Sequence, residues 1–178
     1  AVETMIWFLD AVMEEYCEKT KDIPFMKSAH DFASHWRALG LGQLGWHTYL
    51  QSKMIPFESF TAHMLATKIS KFIDDRSLEA SKELAIEYGE PKGMLGTGER
   101  NLTRTAIAPT TSSSFILGQV SPAIEPLASN YFTKDLAKGK FTFRNKHLEG
   151  CLHDHGKNNE KVWVDVLKHG GFVQHLDF

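Results

Sequence analysis

Short strand-like runs stand singly between helical stretches in this chain, and that alternation constrains its fold more than any other feature. "WRALGLGQLGWHTYLQSKM" reads as an apolar piece, a glycine turn and a helix. "NLTRTAIAP" reads as a buried strand that must end at Pro109, because proline cannot donate to a sheet ladder. A short helix is expected from Ser112 to Gly118. Val2, Met5, Ile6, Leu9, Val12, Met13 and Tyr16 recur at helical spacing and predict an amphipathic helix over 2–19. A second helix follows from about Met26. Pro56 opens a long helical region to about Tyr88, with Leu65, Ile69, Phe72 and Ile73 facing inward and Gly89 as the stop. "SNYFTKDLAKGKFTFRN" predicts a hairpin, and two helical pieces, 145–154 and 158–169, come last. The class is a helix-rich α/β fold.

Composition narrows the function. The chain has 178 residues, 42% of them hydrophobic and 24% charged, with a net charge of −2. That length buries about 70% of the unfolded surface. Without a basic excess, duplex nucleic acid and acidic membranes are not expected as main partners. Two distant cysteines, Cys17 and Cys151, give no disulfide framework and fit a reducing, cytoplasmic setting. No apolar run approaches the roughly 18 residues of a membrane span, and no signal peptide is visible. The absence of an initial Met and the aromatic ending "FVQHLDF" lead to the expectation of a piece of something longer.

Three motifs invite chemistry. "GLGQLG", Gly40 to Gly45, satisfies G-x-G-x-x-G, but a dinucleotide site also needs an acidic residue about 20 positions on, at the end of a second strand. Glu58 has the distance and not the context, so tight strand-to-helix packing is the better reading. In "CLHDH", His147, Cys151 and His155 share a helix face, with His153 and Asp154 beside them. No fourth ligand stands at a recognisable spacing, so a solvated helix end is expected rather than zinc. Cys17, at helical spacing with Met13, reads as core.

The third motif is "AIAPTTSSSF". Five hydroxyl side chains, Thr110 to Ser114, follow Pro109 directly, with apolar residues on both sides. The first amides of a helix lack internal partners and carry the positive end of its dipole. Small hydroxyls let an anion approach them closely, so a phosphate could be held without Lys or Arg. A plain N-cap would need only one hydroxyl, or two.

On these residues the chain resembles a known family. "RNLTRTAIAPTTSSSFILGQVSPAIEP", with its Pro-plus-hydroxyl loop and Ile124-Glu125-Pro126 ending, resembles the large catalytic (alpha) subunit of class I ribonucleotide reductase. "RALGLGQLGWHTYLQSKMIPFES", "ASKELAIEYGEP" and "SNYFTKDLAKGKFTFRN" resemble other segments of it in order, so the likeness covers nearly the whole chain.

The resemblance implies a ten-stranded α/β barrel, of which residues 1–178 would be a single partial domain from the later part. It implies reduction of ribonucleoside diphosphates to deoxyribonucleotides. Carried over position by position, the substrate-phosphate binders are Thr110, Thr111, Ser112 and Ser113, Thr111 mainly through its N–H. The family's radical cysteine lies in an Asn-x-Cys-x-Glu loop, which neither "EEYCEKT" nor "LEGCLHD" matches. No catalytic residue, metal ligand or cofactor is therefore expected within these residues, and the isolated chain is expected to be inactive. The implied partners are the diphosphate substrate, the remainder of the large subunit, a radical-generating small subunit and a dithiol reductant. Strands without neighbours would leave apolar faces open to self-association, or stay short and unpaired. Two further readings remain: a split-reductase subunit completed in trans, and a non-catalytic module that binds nucleotide or phosphate.

Overall fold

In the computed structural model, which describes residues 1–136 and 139–178, the first apolar stripe forms helix α1, Val2–Thr20. After a single 3-10 turn, α2 spans Lys27–Trp36, and α3 spans Trp46–Ser52. The long helix α4, Phe60–Tyr88, packs along α1. It starts four residues beyond Pro56 because Ser59 caps it, its Oγ accepting the Ala62 amide at 3.1 Å. Ile6, Leu39, Ala80 and Leu84 close a core between these elements, flanked by Trp7, Leu9, Met13 and Leu41.

One expected inward residue points out: Phe72 is 56% exposed. The buried face of α4 lies further along and is made of small residues, Ser77, Ala80 and Ser81, with Leu84. Small side chains let another backbone approach. Ser81 Oγ accepts the amides of Arg100 and Asn101, both at 3.1 Å, and donates to Asn101 Oδ1 at 2.9 Å.

That approach meets a buried carboxylate. Asp10, on α1, is only 4% exposed. Its oxygens accept Arg37 Nε at 3.0 Å, Arg37 Nη2 at 2.9 Å, Arg100 Nε at 2.9 Å and Asn101 Nδ2 at 2.9 Å. Arg37 also reaches Glu14 at 2.6 Å, and Arg100 donates to the last carbonyls of α4, Tyr88 and Gly89. Burial alone would push the Asp10 carboxyl up. The hydrogen bonds from Arg37, Arg100 and Asn101, with the Arg37 charge, outweigh burial and hold it below the usual carboxylate range.

Beyond this knot two extended segments run side by side. Leu39 N–H donates to Thr103 O at 2.8 Å, Leu41 N–H to Arg104 O at 2.9 Å, and Ala106 N–H to Leu41 O at 3.1 Å. A single parallel bridge joins Leu41 and Thr105. The buried strand expected at 101–109 is thus extended but not buried: Leu102 is 41% exposed and Ile107 74%. Asn101 at its start is fully buried and Arg104 is paired with Asp74 and Glu99, while the apolar side chains of the segment lie open.

Among the described residues the one sheet is a hairpin, β1 Tyr131–Leu136 and β2 Gly139–Arg144, antiparallel with Phe132 opposite Phe143. The turn expected between them, at 137–138, lies outside the described residues. The ten strands implied by the resemblance are therefore not present within these residues. The short helix α5, Thr111–Ile116, precedes the hairpin, and α6, Lys146–Asp154, and α7, Glu160–Lys168, follow it. Tyr131, Leu152, Trp163 and Val166 form a second core there. No helix among the described residues is long and apolar enough to cross a membrane. Phe25, Phe60 and Ile86, all on helical elements, stand well exposed.

Asp10→Asn keeps the shape and removes the charge, leaving two buried guanidinium groups with only the exposed Glu14 as counter-ion. Urea unfolding should show a loss of about 3–5 kcal/mol, the cost of breaking a buried pair from one side. The folded carboxyl titrates below its unfolded value of about 3.9, so its contribution is complete above that pH and is lost as pH falls through the folded value. The variant should lack that acid-dependent component; an unchanged acid profile would contradict this assignment.

Candidate functional site

Pro109 ends the extended segment, and Thr110 turns the chain with φ 48° and ψ 24°. A non-glycine residue holds that conformation when its surroundings fix it. Here Thr110 Oγ1 accepts the Ala123 amide at 2.8 Å, and its carbonyl accepts the Ser114 amide at 2.9 Å. Ser114 is buried; its Oγ donates to Thr111 O at 2.7 Å and its carbonyl accepts Val120 N–H. The two ends of the hydroxyl run are therefore tied.

The middle is not. Thr111, Ser112 and Ser113 are exposed, and among the described residues neither their hydroxyls nor their amides have a protein partner. Three consecutive residues thus offer up to six donors from a backbone anchored on both sides. Thr110 differs from them: its oxygen is already an acceptor, which leaves its O–H as the donor.

The segment after α5 is pinned to the start of α3. Ser121 accepts Gly45 N–H at 2.8 Å through its carbonyl and Thr48 N–H at 3.2 Å through Oγ, and its own amide donates to Thr48 Oγ1 at 2.8 Å. His47 Nδ1 accepts Leu127 N–H at 3.0 Å, just past Ile124-Glu125-Pro126. Burial, with the nearby His147, pushes the His47 pKa down, which keeps the ring neutral and able to accept. These anchors, His47, Thr48 and Ser121, were not singled out in the sequence; the partners lie 73 to 80 residues apart, and no local pattern joins them.

The glycine motif serves the same packing. A Cβ on Gly40 would stand 3.0 Å from Ala106 Cβ, and one on Gly42 3.0 Å from Ala106 O. Gly45 caps α3 with φ +82°. The glycines bring two extended segments together, as tight packing requires. Beside them lies a cavity of about 520 Å³, walled by Leu41, Gly42, Thr105, Ala106, Ile107 and Ile124. The four hydroxyl residues do not line it.

The remaining candidates disperse. His155 follows α6, its Nδ1 2.8 Å from Cys151 O, and His153 is turned to solvent beside Asp154. Among the described residues, His147, Cys151, His153 and His155 do not converge on one point. Cys17 is buried, and burial raises its thiol pKa, the reverse of what an activated nucleophile needs.

Comparison with known proteins places this geometry. Residues 1–96 and 92–177 match the family profile described as "Ribonucleotide reductase, barrel domain". The chain is 39% identical over 173 residues to the ribonucleoside-diphosphate reductase large subunit of Invertebrate iridescent virus 3, covering 96% of this chain and 27% of that protein. It is 36% identical over 142 residues to the vitamin B12-dependent ribonucleoside-diphosphate reductase of Thermoplasma acidophilum, covering 75% of this chain and 18% of that one. The solved Actinobacillus ureae class Id ribonucleotide reductase alpha subunit superposes with a TM-score of 0.91 at 47% identity, over 99% of this chain and 32% of that one. The chain therefore spans less than a third of the length of these relatives.

Because His47 Nδ1 must be unprotonated to accept Leu127 N–H, acidification through the imidazole range should loosen residues 124–127. The protection factor of the Leu127 amide should fall, relative to those of neighbouring amides, as the pH drops below the ordinary imidazole value of about 6.5. His47→Gln, whose side-chain oxygen can accept at any such pH, should abolish that extra dependence.

Proposed function

The chain belongs to the ribonucleotide reductase barrel-domain family, and from that premise we propose that it supplies the substrate-phosphate grip of a ribonucleoside-diphosphate reductase large subunit. The binders are Thr111, Ser112 and Ser113 through amides and hydroxyls, with Thr110 adding its O–H. The observation that carries this reading is the loop whose ends are tied and whose central donors have no protein partner. Donors fixed in advance and aimed outward hold an anion without first giving up other bonds.

The part played is positioning. Gripping the diphosphate fixes the sugar against a reactive group that other residues carry, and such placement lowers the barrier without bond chemistry here. Similarity both to a ribonucleoside-diphosphate reductase large subunit and to a vitamin B12-dependent ribonucleoside-diphosphate reductase supports that role, since each by its name must hold a diphosphate substrate. The parallel pairing of 39–41 with 103–106 would be extended by further strands into the ten-stranded barrel, with residues 1–178 as one partial domain. The radical cysteine, the radical-generating small subunit and the dithiol reductant would come from outside these residues, in a cytoplasmic enzyme.

Inorganic pyrophosphate titrated into the chain should shift the amide resonances of Thr111, Ser112 and Ser113 before any others. A hydrogen bond to a charged group is worth about 1.5–3 kcal/mol, so Ser112→Ala and Ser113→Ala should each weaken binding about 10- to 100-fold. Shifts centred elsewhere, or none, would remove the loop from this role. The isolated chain should convert no ribonucleoside diphosphate to the deoxy form; turnover by purified chain would contradict the positioning role.

A further inference from the structure

At the end of α7 two imidazoles stack above one carboxylate. The rings of His169 and His175 have centroids 3.7 Å apart and planes inclined by 19°. His175 Nε2 lies 2.9 Å from Asp165 Oδ2. His169 Nδ1 lies 3.6 Å from Asp165 Oδ1 and 2.9 Å from the Asp165 carbonyl oxygen. One ligand atom from each of the three residues falls within 4.8 Å of the other two.

Each member is held for its own reason. Asp165 and His169 are four residues apart and share a face at the helix end. His175 returns to them because the chain reverses at 170–171, where Gly171 N–H donates to Val166 O at 2.8 Å. Its near neighbours Val173 and Leu176 pack on the Trp163–Val166 core, which fixes the backbone on both sides of the ring.

We propose that Asp165, His169 and His175 form a binding site for a divalent transition-metal ion of the Zn²⁺ type. Two imidazoles and a carboxylate are the donors such ions take, whereas Mg²⁺ favours oxygen alone. In a tetrahedral zinc site with bonds of about 2.0–2.1 Å, ligand atoms stand about 3.3 Å apart. The observed 2.9 and 3.6 Å straddle that value; to ligate, the His169 ring turns so that Nδ1 leaves the Asp165 carbonyl and the two stacked rings open toward the ion. Asp165 and His175 also line an adjoining cavity of about 810 Å³, through which water reaches them; Glu160 and Asp177 on its wall stand with Lys157, Lys161 and Lys168. The negative end of the α7 dipole adds to the attraction. The site is independent of the phosphate loop, and its role is to clasp the C-terminal segment to α7.

Calorimetric titration of the 178-residue chain with Zn²⁺, with Mg²⁺ as control, tests it. One equivalent of Zn²⁺ should bind and raise the melting midpoint, and Mg²⁺ should do neither. Loss of an outer-shell partner costs about 10- to 100-fold in metal affinity, so His169→Gln and His175→Gln, each removing a ligand outright, should cost at least about a hundredfold. Asp165→Asn gives a third, independent variant, and far-UV circular dichroism confirms that each is folded. Cys151→Ser and His155→Ala should leave binding unchanged. The proposal fails if Zn²⁺ does not bind, if binding survives the glutamine variants, or if it is lost instead with Cys151 or His155.

Discussion

The Asp10 carboxylate is the constraint on which the first half of the molecule depends. It collects charged or amide donors from the end of α2 and from residues 100–101, and through Arg100 it reaches the end of α4. A buried carboxylate alone would be expelled or neutralised, and two buried guanidinium groups alone would be worse. Together they satisfy one another, and the geometry that does so leaves little choice of where the helices sit. Leu39 and Thr103, directly beyond Arg37 and Asn101, are thereby set side by side, and the parallel pairing begins there.

From that pairing the hydroxyl loop inherits its place. Gly40 and Gly42 permit close approach to Ala106, Pro109 stops the extended run, and α3 fastens the segment beyond α5. Rigid supports on both sides of an unpartnered stretch are what a binding loop needs. They hold donors outward at no further ordering cost when the ligand arrives.

Much of this was legible in the sequence. Apolar spacing placed α1 within a residue at each end, and Gly89 did end α4. The glycine motif was rightly assigned to packing, because the context a dinucleotide site needs was missing. Phe72 was misplaced because periodicity marks a stripe without saying which part of a 29-residue helix is covered. The segment 101–109 has the β-branched and apolar character of a buried strand, yet burial depends on neighbours that local character cannot supply. The Asp10 knot and the His47–Leu127 tie were invisible for a related reason: both join residues dozens of positions apart. The hydroxyl residues stood out, while their division into tied ends and an open middle needed the partners Ala123 and Val120.

The span of those ties bears on how the chain folds. Asp10 and Asn101 are separated by 91 positions, so the first core can close only after a long loop has been gathered, at an entropic cost that grows with length. The second core draws entirely on residues between Tyr131 and Leu176. Contacts of short separation form faster than distant ones. The C-terminal third should thus reach its native arrangement early in refolding, with the carboxylate-centred half following as the slower phase.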